Sequence, residues 1–130
     1  MASPTVLVVE DDPVILHLLE INFDLEGWAV ITATNGKEAL DAVRGQRPDA
    51  AVVDVMMPVL SGLEFVKELR ADEAISDTAV VLLSAKAQSS DVTAGIAAGA
   101  DDYVTKPFDP IDLVERVSRS LERRSGQPER

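Results

Sequence analysis

The sequence contains no cysteine and only one histidine, one tryptophan and one tyrosine among its 130 residues. Without cysteine there is no disulfide framework and no sulfur-ligated metal, and the composition fits a reducing, cytoplasmic setting. The single histidine, His17, has no second ligand residue close by in sequence. It is expected to face solvent on the first helix rather than to bind metal or catalyse. Basic residues are scarce: 12 Lys and Arg stand against 23 Asp and Glu, a net charge of −11. That imbalance argues against direct binding to nucleic acid or an anionic membrane surface, and favours a basic partner or a cation. No apolar run approaches the roughly 20 residues needed to cross a bilayer, and the start, MASPTV, carries no basic leader region.

The residues that are present, 46% hydrophobic and 27% charged, belong to a folded domain rather than a disordered chain. The length suits one domain, residues 1–124, followed by a polar tail at 125–130. Short valine-rich runs at Thr5–Val9, Ala50–Val53 and Ala79–Leu83 lack polar alternation and read as strands buried on both faces of a parallel sheet. Trp28–Ala33 is a more mixed strand and Asp102–Thr105 a short, weak one. Helical stretches lie between them. Asp12-Pro13 and Asp109-Pro110 each place an Asp N-cap before a first-turn proline. Asn35 with Glu38, and Ser61 with Glu64, have capping-box spacing. Gly27, Gly45 and Gly99 stand where C-caps would close three helices. The expectation is five βα units, a doubly wound α/β sandwich.

Where these runs end, the chemistry concentrates. The first leads into Glu10, Asp11 and Asp12 in VLVVEDDP. Two like charges 4 Å apart repel by about 4 kcal/mol at an effective dielectric near 20, so something must compensate the cluster. Asp12 is accounted for as an N-cap; Glu10 and Asp11 are not. The third strand ends at Asp54, the fourth at Ser84 and the fifth at Lys106. In open α/β sheets, ligands sit beyond the carboxyl ends of the strands, where strand order reverses. Neighbouring first and third strands would bring Asp11 and Asp54 together beside a hydroxyl and an ammonium. All-oxygen donors of this kind suit a hard divalent ion such as Mg²⁺. Met56 and Met57, taken alone, read as gap-filling apolar residues.

Together, VLVVEDDP, PDAAVVDVMMPVLSGLEF, VVLLSA and GADDYVTKPF closely resemble the receiver domain of bacterial response regulators, over about residues 5 to 124. The resemblance implies a flavodoxin-like (βα)5 fold with strand order 2-1-3-4-5. It also implies that Asp54 accepts a phosphoryl group from a histidine kinase or histidine phosphotransfer protein. Mg²⁺ would be held by Asp11, Asp54 and the Met56 carbonyl, with Glu10 assisting through water. Lys106 would contact the phosphoryl group, Ser84 would engage it by its hydroxyl, and Tyr103 would be the aromatic switch. Pro107 would follow a cis peptide bond. As Ser84 is drawn in, Tyr103 would turn into the space it vacates and alter the face made by the fourth helix, fifth strand and fifth helix.

Such a chain is a signalling switch rather than an enzyme. A phosphohydrolase using an aspartyl nucleophile would want a second acid at position 56, where methionine stands. A nucleotide-binding domain would want a glycine-rich loop, where EDDP stands instead. The GADDYVTKPF stretch also resembles receivers attached to winged-helix DNA-binding domains, so a receiver from a longer transcriptional regulator is the alternative. Nothing after residue 124 reads as a helix-turn-helix. Kinase docking is expected at Pro13, Val14, Pro107 and Phe108. In dimerising relatives, charged pairs cross a two-fold axis. Here Asp102 could face Arg116 of a second copy, but Asp112 would meet Val92, and Ala97 would meet Ser118. One rim ion pair contributes about 0–1 kcal/mol, so a monomer or weak dimer is expected.

Overall fold

In the computed structural model, which describes residues 3–125, five strands alternate with five helices. The strands are β1 (Thr5–Val9), β2 (Ala29–Ala33), β3 (Ala50–Asp54), β4 (Ala79–Ser84) and β5 (Asp102–Thr105). The helices are α1 (Pro13–Leu25), α2 (Gly36–Gln46), α3 (Gly62–Ala71), α4 (Ser89–Ala98) and α5 (Pro110–Arg124). All strand pairs are parallel and the order is β2-β1-β3-β4-β5, as expected. Most of the proposed tail, residues 126–130, lies outside the described residues.

The absence of polar alternation in the strands has a direct cause. Leu7, Val9, Ala51, Val53, Val80 and Leu82 face one core with α2 and α3, while Val6, Val8, Val52, Val81 and Leu83 face another with α1 and α5. Successive side chains point to opposite faces, and both faces are covered, so both must be apolar.

The start signals mostly act as their residue types require. The Asp12 and Asp109 carboxylates each accept two N–H bonds at the first turn of α1 and α5. Ser61 and Glu64 form a complete capping box. At α2 the reciprocal arm differs: Asn35 accepts from the Glu38 N–H, but the Glu38 carboxylate takes the N–H and hydroxyl of Thr34 instead. Gly27 and Gly99 adopt positive φ at the ends of α1 and α4. Gly45, however, is inside α2, which runs on to a left-handed Arg47 at φ 50°. Trp28 precedes β2 rather than opening it. It is buried edge-on against Phe23, with ring centroids 5.3 Å apart.

Val59 is the other non-glycine residue with positive φ, at 72°, and it is 77% exposed. The Leu60 N–H bonds the Pro58 carbonyl at 2.8 Å, closing a γ-turn centred on a β-branched residue. The turn is hemmed in, because a methyl group at Gly36 would run into Leu60. A β-branched side chain in this region is strained by roughly 1–3 kcal/mol, and its exposure means little burial offsets it. Val59→Gly is therefore expected to stabilise the protein by about 1 kcal/mol, after allowing for the freer unfolded chain. Thermal unfolding should show a melting temperature a few degrees higher; a lower one would contradict the strain argument.

Candidate phosphoryl and cation site

Three of the four elements that meet at the site are pinned by backbone bonds continuing one step past each strand. The Glu10 N–H reaches the Ala33 carbonyl, the Val55 N–H reaches Leu83, and the Lys106 N–H reaches Ser84 at 2.8 Å. Such continuation makes the side chains at these strand ends as fixed as the sheet itself. On the β3 side, a methyl group at Gly62 would approach the Asp54 carbonyl to 2.6 Å, so only glycine lets α3 start this close to the strand end.

The Lys106 ammonium lies between two buried carboxylates, 3.0 Å from Glu10 Oε1 and 2.8 Å from Asp54 Oδ2. Glu10 and Asp54 are 1% and 5% exposed. The Met56 N–H holds the other Asp54 oxygen at 2.9 Å, and the Asp12 N–H holds the other Glu10 oxygen at 3.1 Å. Lys106 is thus no ordinary surface ion pair; it is the cation that lets two carboxylates stay buried. The peptide bond between Lys106 and Pro107 is cis, as expected.

Oxygens of Glu10, Asp11 and Asp54 lie within 4.8 Å of one another. With all three carboxylates ionised, one ammonium leaves two negative charges uncompensated, which a divalent cation would balance. An acidic cluster of this make-up is suited to such an ion. Burial, reinforced by the Asp54 charge and opposed by the Asp12 N–H and Lys106, pushes the Glu10 carboxyl up to about 7. Burial works to lower the Lys106 pKa, but its bonds and charge interactions with Asp54 and Glu10 outweigh it, and the net shift is upward.

Ser84 ends β4, fully buried, and its Oγ accepts the Lys86 N–H at 3.0 Å. The Tyr103 hydroxyl donates to the Lys86 carbonyl at 2.9 Å. One residue of the β4–α4 loop therefore links the hydroxyl at the site to the aromatic ring on β5. In this structure the Tyr103 ring is buried, where α4 leaves room for it and Lys86 supplies an acceptor.

Among the other sequence-derived residues, Asp11 is exposed beside the cluster, and His17 is exposed on α1. Met57 is buried as a gap-filler, but Met56 is 58% exposed and is not. Val14 is 75% exposed, so it does not belong to the core, and it continues into an exposed apolar stripe with Leu18 and Ile21. The pairing of Asp102 with Arg116 closes within one chain at 3.3 Å, with Asp112 on the same guanidinium. Arg116 lies one helical turn after Asp112 and beside β5, so it needs no second copy for these bonds. Sequence reasoning missed the cluster made by Arg70, Asp101 and Arg124, whose members are far apart in the chain.

The pattern described as "Response regulator receiver domain" matches residues 6–118. The transcriptional regulatory protein PrrA of Mycobacterium tuberculosis is 48% identical over 126 residues, covering 97% of this chain and 53% of that protein. The DNA-binding response regulator MtrA of Mycolicibacterium smegmatis is 42% identical over 123 residues, covering 95% and 53%. The chain thus spans about half the length of these curated relatives. Among solved structures, the BeF3-activated DrrB receiver domain is 37% identical, with a TM-score of 0.82 over 92% of this chain and 98% of that one.

Proposed function

The chain belongs to the response regulator receiver family, and from that premise we propose that it is a signalling switch phosphorylated on Asp54 by a histidine kinase or phosphotransfer protein. The observation that carries this reading is the Asp54 carboxylate, held by Met56 and Lys106 next to two further acids. An Asp54 oxygen attacks the phosphorus of a phosphohistidine, the P–N bond breaks, and an aspartyl phosphate forms. Lys106 moves its hydrogen bond from the carboxylate to a phosphoryl oxygen, and the Ser84 hydroxyl binds another. Positioning and fixed charge do most of the work, as is usual in phosphoryl transfer. Asp11, Asp54 and the Met56 carbonyl would hold Mg²⁺, with Glu10 assisting through water. When bound, the ion neutralises charge on the phosphoryl oxygens. Drawing the Ser84 hydroxyl to the phosphoryl group would move the oxygen that accepts the Lys86 N–H, and so reach Tyr103 and the α4–β5–α5 face.

Incubation with acetyl phosphate and Mg²⁺ tests the reading. Intact mass should rise by one phosphoryl group, and excess chelator should prevent it. Labelling that is indifferent to chelator would contradict the proposed ion.

Protons and Mg²⁺ compete for the acidic cluster. With Glu10 at about 7, raising the pH through 7 frees its carboxylate, so Mg²⁺ affinity should rise. The expected gain between pH 6 and 8 is up to about tenfold, from the change in the charged fraction. Calorimetric titration of wild type and Glu10→Gln checks this; the variant should lose most of the pH dependence.

The kinase docks on the apolar patch of Val14 and Pro107, with half-buried Phe108 beneath, next to the acidic site. Val14→Glu should slow transfer from a kinase that labels the wild type by about tenfold or more. Acetyl phosphate labelling should stay within about twofold. Equal loss in both assays would point to misfolding instead.

A second reading is favoured by the relatives, which are named as transcriptional and DNA-binding regulators and are about twice as long. On that reading residues 1–124 are the receiver part of a longer transcriptional regulator. Detection in the native cells of a species about twice this length would support it. With Arg116 engaged inside its own chain, the receiver itself is proposed to be a cytoplasmic monomer, or at most a weak dimer. Among the described residues, no helix is long and apolar enough to cross a membrane.

A further inference from the structure

Helix α4 is held unusually lightly. Its N-cap, Gln88, makes no side-chain bond, and the buried residue it contributes is a glycine, Gly95. Glycine inside a helix weakens it, because the chain has more freedom to lose. Here no turn or positive φ asks for glycine: Gly95 sits within regular helix. What it does provide is room. A methyl group at position 95 would lie 2.9 Å from Tyr103 Cδ2, 3.2 Å from Tyr103 Cε2 and 3.0 Å from Leu82 Cδ1. The aromatic ring occupies the volume a side chain would take. From that place its hydroxyl reaches the Lys86 carbonyl, while the Lys86 N–H is held by Ser84.

We propose that Gly95 is a positioning residue of the switch: its bare α-carbon is the seat for Tyr103, and the side chain at this position sets the balance between inward and outward rings. This rests on the reading of Ser84 and Tyr103 as the path from Asp54. A side chain at 95 displaces the ring or α4, and a ring turned outward loses its bond to Lys86. The chemistry at Asp54 is left alone, since the side chains closest to Gly95 are Tyr103 and Leu82. Alanine favours the helix, so an outward ring in Gly95→Ala would not arise from an unravelled α4. Linkage adds a second consequence. If an inward ring and an occupied phosphoryl site favour each other, weakening the first must weaken the second.

Tyr103 is the only tyrosine in the chain, so fluorotyrosine incorporation places one ¹⁹F reporter on the ring in question. In wild type its resonance should show little H₂O/D₂O solvent shift. In Gly95→Ala most of the intensity should move to a solvent-sensitive position, and beryllofluoride with Mg²⁺ should bind several-fold more weakly. Trimming the second neighbour, in Gly95→Ala with Leu82→Val, should return intensity to the buried position, which a general loss of packing would not. Acetyl phosphate labelling of Gly95→Ala should stay within about twofold of wild type. Failure of the wild type to label would overturn the Asp54 reading and leave the ring measurement to stand alone. A Gly95→Ala ring that stays buried, with unchanged beryllofluoride affinity, would overturn the proposal.

Discussion

Asp54→Ala should reduce labelling by acetyl phosphate from about one phosphoryl group per chain to background, with little loss of fold. The two halves of that expectation have separate causes. Asp54 is the carboxylate that ends β3, and its two oxygens are oriented by Met56 and Lys106. Glu10 is turned into the protein and already carries the Asp12 N–H and Lys106. Removing Asp54 removes the nucleophile but also a charge that repels Glu10, and Lys106 keeps a partner. The structural cost is therefore small. Mass spectrometry reads the labelling, and thermal unfolding reads the fold. Appreciable labelling of the variant would move the nucleophile elsewhere.

Arg70→Ala should have the opposite profile, a large loss of stability with the site chemistry intact. The guanidinium donates to the carbonyls of Gly99, Ser76 and Thr78 and to the Asp101 carboxylate. Asp101 in turn holds the Val80 N–H and Arg124. Both members of the Arg70–Asp101 pair are about 15% exposed. Burial lowers the Arg70 pKa, with Arg124 adding to the effect against the pull of Asp101. Truncation strands several buried acceptors, and breaking a buried pair typically costs about 3–5 kcal/mol. Lysine should rescue poorly, having no planar fork to serve divergent carbonyls. Denaturant unfolding should give a lowered midpoint with an unchanged slope; a loss below about 1 kcal/mol would show the cluster to be dispensable. The cluster ties the ends of α3 and α4 to the starts of β4 and β5 and the end of α5.

The contrast between these two residues explains what could be read from the chain. Asp54 and Lys106 are polar residues terminating short apolar runs, and the parallel sheet brings such ends together. A local pattern plus one topological rule locates them. The caps at Asp12, Asp109 and Ser61 are legible for the same reason, since their partners lie within three residues. Arg70 has no local signal: its partners on Gly99 and Asp101 are about thirty residues away. Gly45 misleads because composition marks a stop, whereas α2 continues until Arg47 turns left-handed. Val59 gives no warning, because a β-branched residue is a poor choice for its backbone angle. The position of Tyr103 depends on what Gly95 lacks, which only the packed structure displays.

The most direct test of the account is to locate the phosphoryl bond chemically. Borohydride reduces an aspartyl phosphate to homoserine, so labelled protein, reduced and digested, carries a permanent mark at the nucleophile. The account predicts homoserine at position 54, dependent on Mg²⁺ and absent from Asp54→Ala. Homoserine at position 11 instead, hydroxynorvaline at position 10, or labelled protein yielding neither, would contradict it.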